Sequence, residues 1–479
     1  MPSLFGVLDT ASRSLAVNAL GLRTASHNIS NVDTPGYTRQ RQQVQPGAPT
    51  FQSEGYIGTG AEQAGVERLR DVLIQRQLMR QGAVKGSTDA QSEAIGRIEA
   101  ALNEQDAPGL NAALNTFYDS LHDLASSTAP GAPVEREGLR AAAGGLIDTL
   151  GSLDAELRSQ RTDANSGVAS VVTEINQLSS RIAELNAAIS PAEVRAPAND
   201  LRDQLELALR ELSSRIDVDT YFDASGRTTV VMGNGLPLVE SDRSYALDAR
   251  PDGADPLDGN TLRVVHPAGG GSDVTAEIGS GRLGGLLRAR DTTIPAAIRA
   301  LDTLAYNLAE TVNAVHATGV GLDGSTGNFF ATLPGVEDAA RDLELDAAVV
   351  ASADAIAVGQ TSAPSDNRVA LAMAELRDAR SPLFLPGDPP GPANGPTRSL
   401  IEHAAAIVSD IGQQSQSLQI ASEQHGRVLE TLESRRDEVS GVSLDEEATR
   451  LIELQAAFQA NARVVSLVDQ LLEDVIGML

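Results

Sequence analysis

The sequence predicts a mainly α protein with an inserted β-containing region. Its N- and C-terminal helices pair as a coiled coil, and its inner helical bundle is discontinuous in sequence. Three observations predict this. Apolar residues make up 41% of the chain but aromatics only 3%, with no Trp, so the cores are aliphatic and suited to helix–helix packing. Both ends space apolar residues in alternating steps of four and three. Strand patterns are concentrated in one internal stretch.

The first helix carries Leu4, Leu8, Ala11, Leu15, Asn18, Leu22, Ala25 and Ile29 along one line. The last carries Leu451, Leu454, Phe458, Asn461, Val465, Val468, Leu472, Val475 and Leu479. Such a stripe is a coiled-coil seam, narrower than the apolar face of an ordinary globular helix. One Asn interrupts each seam, Asn18 and Asn461, and a single polar seam residue can fix register and partner number. Thr34-Pro35-Gly36 stops the first helix, because the residue before a proline avoids helical geometry and glycine permits a turn. Ser443-Leu444-Asp445-Glu446 reads as a capping box that starts the last one. Residues 1–40 carry three Arg and two Asp, whereas residues 441–479 carry two Arg and seven acids, so the two ends attract.

Between them, residues 66–215 read as mostly helical, with breaks at Asp106-Ala107-Pro108-Gly109 and Ala129-Pro130-Gly131-Ala132-Pro133. Residues 216–280 switch to strand patterns, such as Thr228–Met232 and Leu262–Val265, punctuated by Gly233-Asn234-Gly235 and Gly269-Gly270-Gly271. A helix follows over Ile294–Ala317 with Leu301, Leu304, Leu308 and Val312 on one face. Residues 320–395 are mixed and end in a Pro/Gly-rich loop, Pro382–Pro396, before helix resumes near Ser399. The patterns group the chain into three parts. Residues 1–40 plus 441–479 form a coiled coil of the two ends. Residues 66–215, 281–319 and 398–440 form a helical bundle. Residues 216–280 and 320–397 form an inserted β-containing part.

Chemistry is sparse. Zero Cys excludes disulfides, thiol catalysis and zinc fingers, and the six His are scattered without metal-ligand spacing. No phosphate-cradling or dinucleotide motif occurs, and Gly281-Arg282-Leu283-Gly284-Gly285 lacks the Lys-Ser/Thr of a phosphate loop, so tight packing explains it better. Asp323-Gly324-Ser325-Thr326-Gly327-Asn328 lacks the alternating ligands of a calcium loop and reads as a turn. The expectation is no enzyme, no cofactor and no metal. A net charge of −28 argues against nucleic acid and anionic membrane surfaces as partners, and no apolar run is long enough to span a bilayer. The N-terminus lacks a basic region before its apolar stretch, which predicts no Sec-type signal peptide.

The exit from the first helix, Ser26-His27-Asn28-Ile29-Ser30-Asn31-Val32-Asp33-Thr34-Pro35-Gly36-Tyr37-Thr38-Arg39-Gln40, resembles the N-terminal signature of bacterial flagellar axial proteins. Its Gly-Tyr-Thr-Arg-Gln ending is similar to the hook-associated protein 1 family in particular. Ser440–Ala448 and Leu454–Val464 resemble the same family, as do Leu110–Tyr118, Ala198–Gln204 and Gly281–Leu287. The family's fuller Asp-Gln-Arg-Asp-Gln run is altered here, where Glu206 follows Leu205.

The resemblance implies a structural subunit that polymerises at the hook tip and forms the hook–filament junction, exported uncleaved by the flagellar type III route to a position outside the cell. It implies as partners other copies of the chain, the hook protein, a second hook-associated junction protein, and a cytoplasmic export chaperone on the C-terminal helix. The assembly interface is expected at Leu8, Leu15, Asn18, Leu22, Asn28, Ile29, Thr34, Pro35, Gly36, Tyr37, Leu451, Leu454, Phe458, Asn461, Val465, Val468 and Leu472. A lone helix of about 30 residues is marginal in water unless its apolar face is covered, so ordering of the ends is expected to depend on packing partners. Two other readings stand beside this one: another axial subunit from rod or hook, and an enzyme inserted at 216–395 of a coiled-coil scaffold.

Overall fold

Helix dominates, as an aliphatic, aromatic-poor chain dictates. The computed structural model describes residues 4–52, 55–102, 109–128, 131–223, 227–253, 261–267, 271–387 and 393–477. The breaks expected at Asp106–Pro108 and Ala129–Pro130, the glycines 269 and 270, residues 388–392 of the Pro/Gly run and the last seam residue, Leu479, lie outside the described residues.

Helix α1 (Leu4–Ser30) is followed by a ladder of β1 (Gln40–Pro46) and β4 (Ala61–Arg68), which carries a small hairpin of β2 (Thr50–Gln52) and β3 (Gly55–Ile57). The sequence predicts a loop here. The difference has a physical reason: these strands are polar on both faces, so they show no alternation, and backbone bonds with surface pairs such as Arg41–Glu67 (2.7 Å) hold them. Four helices come next: α2 (Val72–Leu102), α3 (Leu110–Ser126), α4 (Pro133–Glu193) and α5 (Asn199–Arg215). The 61 residues of α4 span about 90 Å.

The strand region forms one antiparallel sheet of β5 (Val218–Phe222), β6 (Thr228–Met232), β7 (Pro237–Glu240) and β8 (Arg243–Ser244). A second sheet has the order β11-β10-β9, from β9 (Asp248–Pro251), β10 (Leu262–His266) and β11 (Ser272–Asp273). Helix α6 (Gly281–Arg288) runs through one π-helical turn, Ala289–Thr293, into α7 (Ile294–His316). Three short helices, α8 (Ala339–Asp342), α9 (Ala347–Ala351) and α10 (Arg368–Glu375), and the pair β12 (Ser381–Pro382) and β13 (Thr397–Arg398) lead to α11 (Leu400–Ser440) and α12 (Leu444–Gly477). A complete capping box starts α11: Ser399 Oγ accepts from Glu402 N (3.2 Å), and Glu402 Oε2 accepts from Ser399 N (3.0 Å).

Burial divides into two cores. The first joins the end of α2, all of α3, α4 up to Ala164, α7 and the start of α11. Residues 329–373, grouped by composition with the strands, pack here: Phe329 and Phe330 lie 6.0 Å, centroid to centroid, from Phe117 on α3. The second core joins α4 from Val168, α5, the sheets and α6. Arg136, 2% exposed on α4, donates to the carbonyls of Gly131, Ala353 and Ile356 and so ties the 350s loop to the first core.

The Gly281–Gly285 stretch is a packing device. A Cβ on Gly281 would sit 2.5 Å from Ile216 N, and one on Gly285 would overlap the Ser87 carbonyl oxygen, so α6 touches α2 and the end of α5 backbone to backbone. Gly285→Ala is expected to cost roughly 1–3 kcal/mol, the range for overpacking a filled site. A urea midpoint unchanged in this variant would refute the close approach.

Candidate assembly interface

The exit turn of α1 organises the site. Tyr37 N donates to Thr34 O (3.1 Å), with Pro35 second and Gly36 third at φ +79°, which is type II turn geometry. A Cβ on Gly36 would also press on Leu207 of α5 at 3.2 Å. The turn brings Tyr37 back onto α1, where its hydroxyl donates to Asn28 Oδ1 (2.8 Å) and lies 3.0 Å from His27 Nδ1. Burial, with the carboxylates of Asp200, Asp203 and Glu447 nearby, pushes the Tyr37 phenol well above its ordinary range, so it stays a donor.

Asn28 is the hub, 1% exposed. Its Oδ1 also accepts from Gln40 N (3.0 Å), and its Nδ2 donates to Gln40 O (2.9 Å) and to Glu447 Oε2 (3.1 Å) at the start of α12. Arg39 completes the join: Nε donates to Glu447 Oε1 and Nη1 to Glu446 Oε2, both at 2.7 Å, and its backbone N donates to Ser440 O (2.8 Å). Glu446 is thus spent on Arg39, so the expected capping box is only half made, with Ser443 Oγ accepting from Glu446 N at 3.4 Å. On the other side Thr38 N donates to Asp203 Oδ2 (3.0 Å), while Arg68 bonds Asp203 and Glu206, each at 2.8 Å. Burial raises the Asp203 carboxyl above its ordinary value even against the pull of Arg68. Glu206, the departure from the family's run, also takes Arg70 (2.7 Å).

Beyond this latch, α1 and α12 pack antiparallel. Asn28 faces Glu447, and a Cβ on Gly21 would lie 3.0 Å from Leu454. That register sets Asn18 about one turn away from facing Asn461, whose Nδ2 bonds Ala457 O (3.0 Å) in its own helix. Leu8, Leu15, Asn18, Leu22 and Ile29 are half-buried, whereas Ala11, Val17, Gly21, Ala25 and Asn28 are buried. The contact line thus lies to one side of the expected seam, because Gly21 admits Leu454 where a larger residue could not. On α12, Val468 is buried; Leu451, Leu454, Asn461, Val465 and Leu472 are half-buried, and Phe458 is 36% exposed. Thr34 and Pro35 are exposed, and Gly36 and Tyr37 half-buried. Val475 of the seam is 47% exposed, and a second stripe on α12, Ile452, Val464, Leu467 and Leu471, is open to solvent, with Ile452 at 66%. Counting only one apolar line per helix misses it, together with Gly21, the buried Gln42, whose Nε2 donates to Val17 O of α1 (2.9 Å), and the Arg39–Glu447 join. The three- and four-residue steps of Val464, Leu467 and Leu471 were the available signal.

A family model described as "Flagellar hook-associated protein FlgK helical domain" matches residues 95–330, and one described as "Flagellar basal body rod FlgEFG protein C-terminal" matches residues 433–478. The chain is 29% identical to the flagellar hook-associated protein 1 of Bacillus subtilis, covering 100% of this chain and 99% of the relative. The chain is thus similar along its whole length to flagellar hook-associated protein 1. The flagellar hook-associated protein 1 of Salmonella typhimurium is 26% identical over 98% of this chain and 99% of its own length. The fold agrees: the structure of the flagellar hook junction protein FlgK from Burkholderia pseudomallei superposes with a TM-score of 0.66 at 17% identity, over 76% of this chain and all of that one. Both family models take in parts of the mainly α architecture described above, and the second covers all of α12, the helix that carries the open stripe.

Proposed function

We propose that this chain is a hook-associated protein, a structural subunit of the bacterial flagellum that polymerises at the hook tip and joins hook to filament. The observation that carries the reading is the terminal pair: α1 covers one apolar line of α12, and the line through Ile452, Leu467 and Leu471 is left for other chains. Burying a Leu, Ile or Val side chain contributes roughly 1.5–3 kcal/mol, so a handful of such residues per subunit supports a stable polymer. The interface is proposed at the seam residues named above, with Thr34–Tyr37 seating the pair on the helical body. The proposed organisation keeps residues 1–40 and 441–479 as the inner assembly part, the helical bundle around it and the strand-containing part outermost. Partners are further copies of the chain, the hook protein and the second junction protein, with the open stripe of α12 held by an export chaperone before assembly outside the cell. The exposed stripe also supports the reading over an enzyme on a scaffold, which has no use for it.

The test is genetic. Deleting the gene in its motile host is expected to leave hooks without filaments and flagellin lost to the medium. Supplying a chain cut to residues 40–440 is expected to restore nothing. Filaments on hooks in that strain would overturn the role of the ends.

A further inference from the structure

The two cores meet at one level of the molecule, and the chain crossing that level in α4 and between α6 and α7 is weakened there. In α2 the boundary falls between Ala90 of the second core and Ile95 of the first. In α4 it falls between Ala164 and Val168, at the pair Ser166-Gly167. Between α6 and α7 it falls between Leu287 and Ile294, on the π-helical turn Ala289–Thr293. Gly–Ser pairs and π turns are the usual places where long helices kink, and an interior glycine costs about 1 kcal/mol of helix stability relative to alanine.

The space between the cores is polar. Arg290, 2% exposed, bonds Asn165 Oδ1 (3.0 Å) and Leu262 O (2.6 Å) through Nη1 and forks onto Asp291 (2.6 and 2.8 Å). Arg161, 7% exposed, reaches Arg290 O and Thr261 Oγ1, each at 3.3 Å. Interdigitated aliphatic side chains resist sliding because each displaced contact opens a void, whereas a hydrogen-bonded layer can exchange partners with water. Asp291, 41% exposed at its side chain, gives water an edge to enter.

We propose that this layer is a hinge: the first core tilts against the second about the level of Gly167 and Arg290. The terminal pair is latched to α5, in the second core, so the hinge re-aims the first core while the terminal pair stays fixed. The hinge is independent of the assembly role proposed above.

The natural sequence has no Cys, so the full chain accepts spin labels at chosen sites. Labels at Ser244→Cys and Val350→Cys, exposed on opposite sides of the layer, report the tilt; Asp148→Cys with Val350→Cys, both on the first core, is the control. The expected distance distribution across the layer is about twice as wide as the control. A cross-layer distribution as narrow as the control overturns the hinge.

Discussion

Glu447→Ala is expected to release the start of α12 from the body without melting either core. The Glu447 carboxylate is 2% exposed and accepts from both Arg39 Nε and Asn28 Nδ2. Removing one partner of a buried ion pair costs about 3–5 kcal/mol, most of it from the charge left behind. Here Arg39 is 23% exposed and keeps Glu446, so the expected loss is smaller, about 2–3 kcal/mol. Glu446→Ala provides the contrast. Its carboxylate is 63% exposed, and pairs of that kind contribute about 1 kcal/mol or less. The readout is hydrogen exchange at the amides of residues 448–460: fast in the Glu447 variant, near wild type in the Glu446 variant, with α3 and α7 protected in both. Equal protection of α12 in all three proteins would mean that the apolar seam alone holds the pair.

How much of this was legible in the sequence depends on whether the signal was local. Helix boundaries at Ser399, Ile294 and Thr34 rest on caps, prolines and glycines within a few residues, and the structure keeps each within a residue or a few. The β1–β4 ladder was not legible, because the one residue that β1 buries, Gln42, is polar and leaves no apolar alternation to read. The seam direction was legible but its exact line was not: Gly21 belongs to the contact through what it lacks, and apolar patterning does not count glycine. The latch is further out of reach. Arg39 and Glu447, or Arg68 and Asp203, are partners only because the fold brings distant segments together, and their neighbours in sequence give no sign of it. Residues 329–373 illustrate the same limit for a core. Their short helices and bends look like a mixed insert, yet Phe329, Phe330 and Met373 complete the apolar centre that α3 and α7 leave open.

Asp302→Asn is expected to stabilise the protein at neutral pH and to lose that advantage in acid. Asp302 lies on α7, 3% exposed, and its Oδ1 accepts from Ala340 N (3.0 Å) at the start of α8. Burial is the main cause that pushes its carboxyl from the ordinary 3.8 up to about 6, with the Asp154 carboxylate adding to the rise. Arg158, the nearest cation, is already bonded to Asp154 (2.6 Å) and Asp338 (2.7 Å). Because the folded value lies above the unfolded one, the folded chain holds this proton more tightly. Its contribution to stability is therefore complete below about pH 4 and is lost as pH rises through about 6. At pH 7.5 the fold carries a buried carboxylate held by the backbone donors of Ala340 and Asp338, a cost of at most roughly 3 kcal/mol from the gap between 3.8 and about 6. Asparagine keeps the acceptor for Ala340 N and removes the charge. Urea midpoints at pH 7.5 and pH 5 are expected to favour the variant at the higher pH and to converge at the lower one. A gain of equal size at both would assign it to packing, and a loss at both would mean that the carboxylate has a cation partner in solution that offsets its burial.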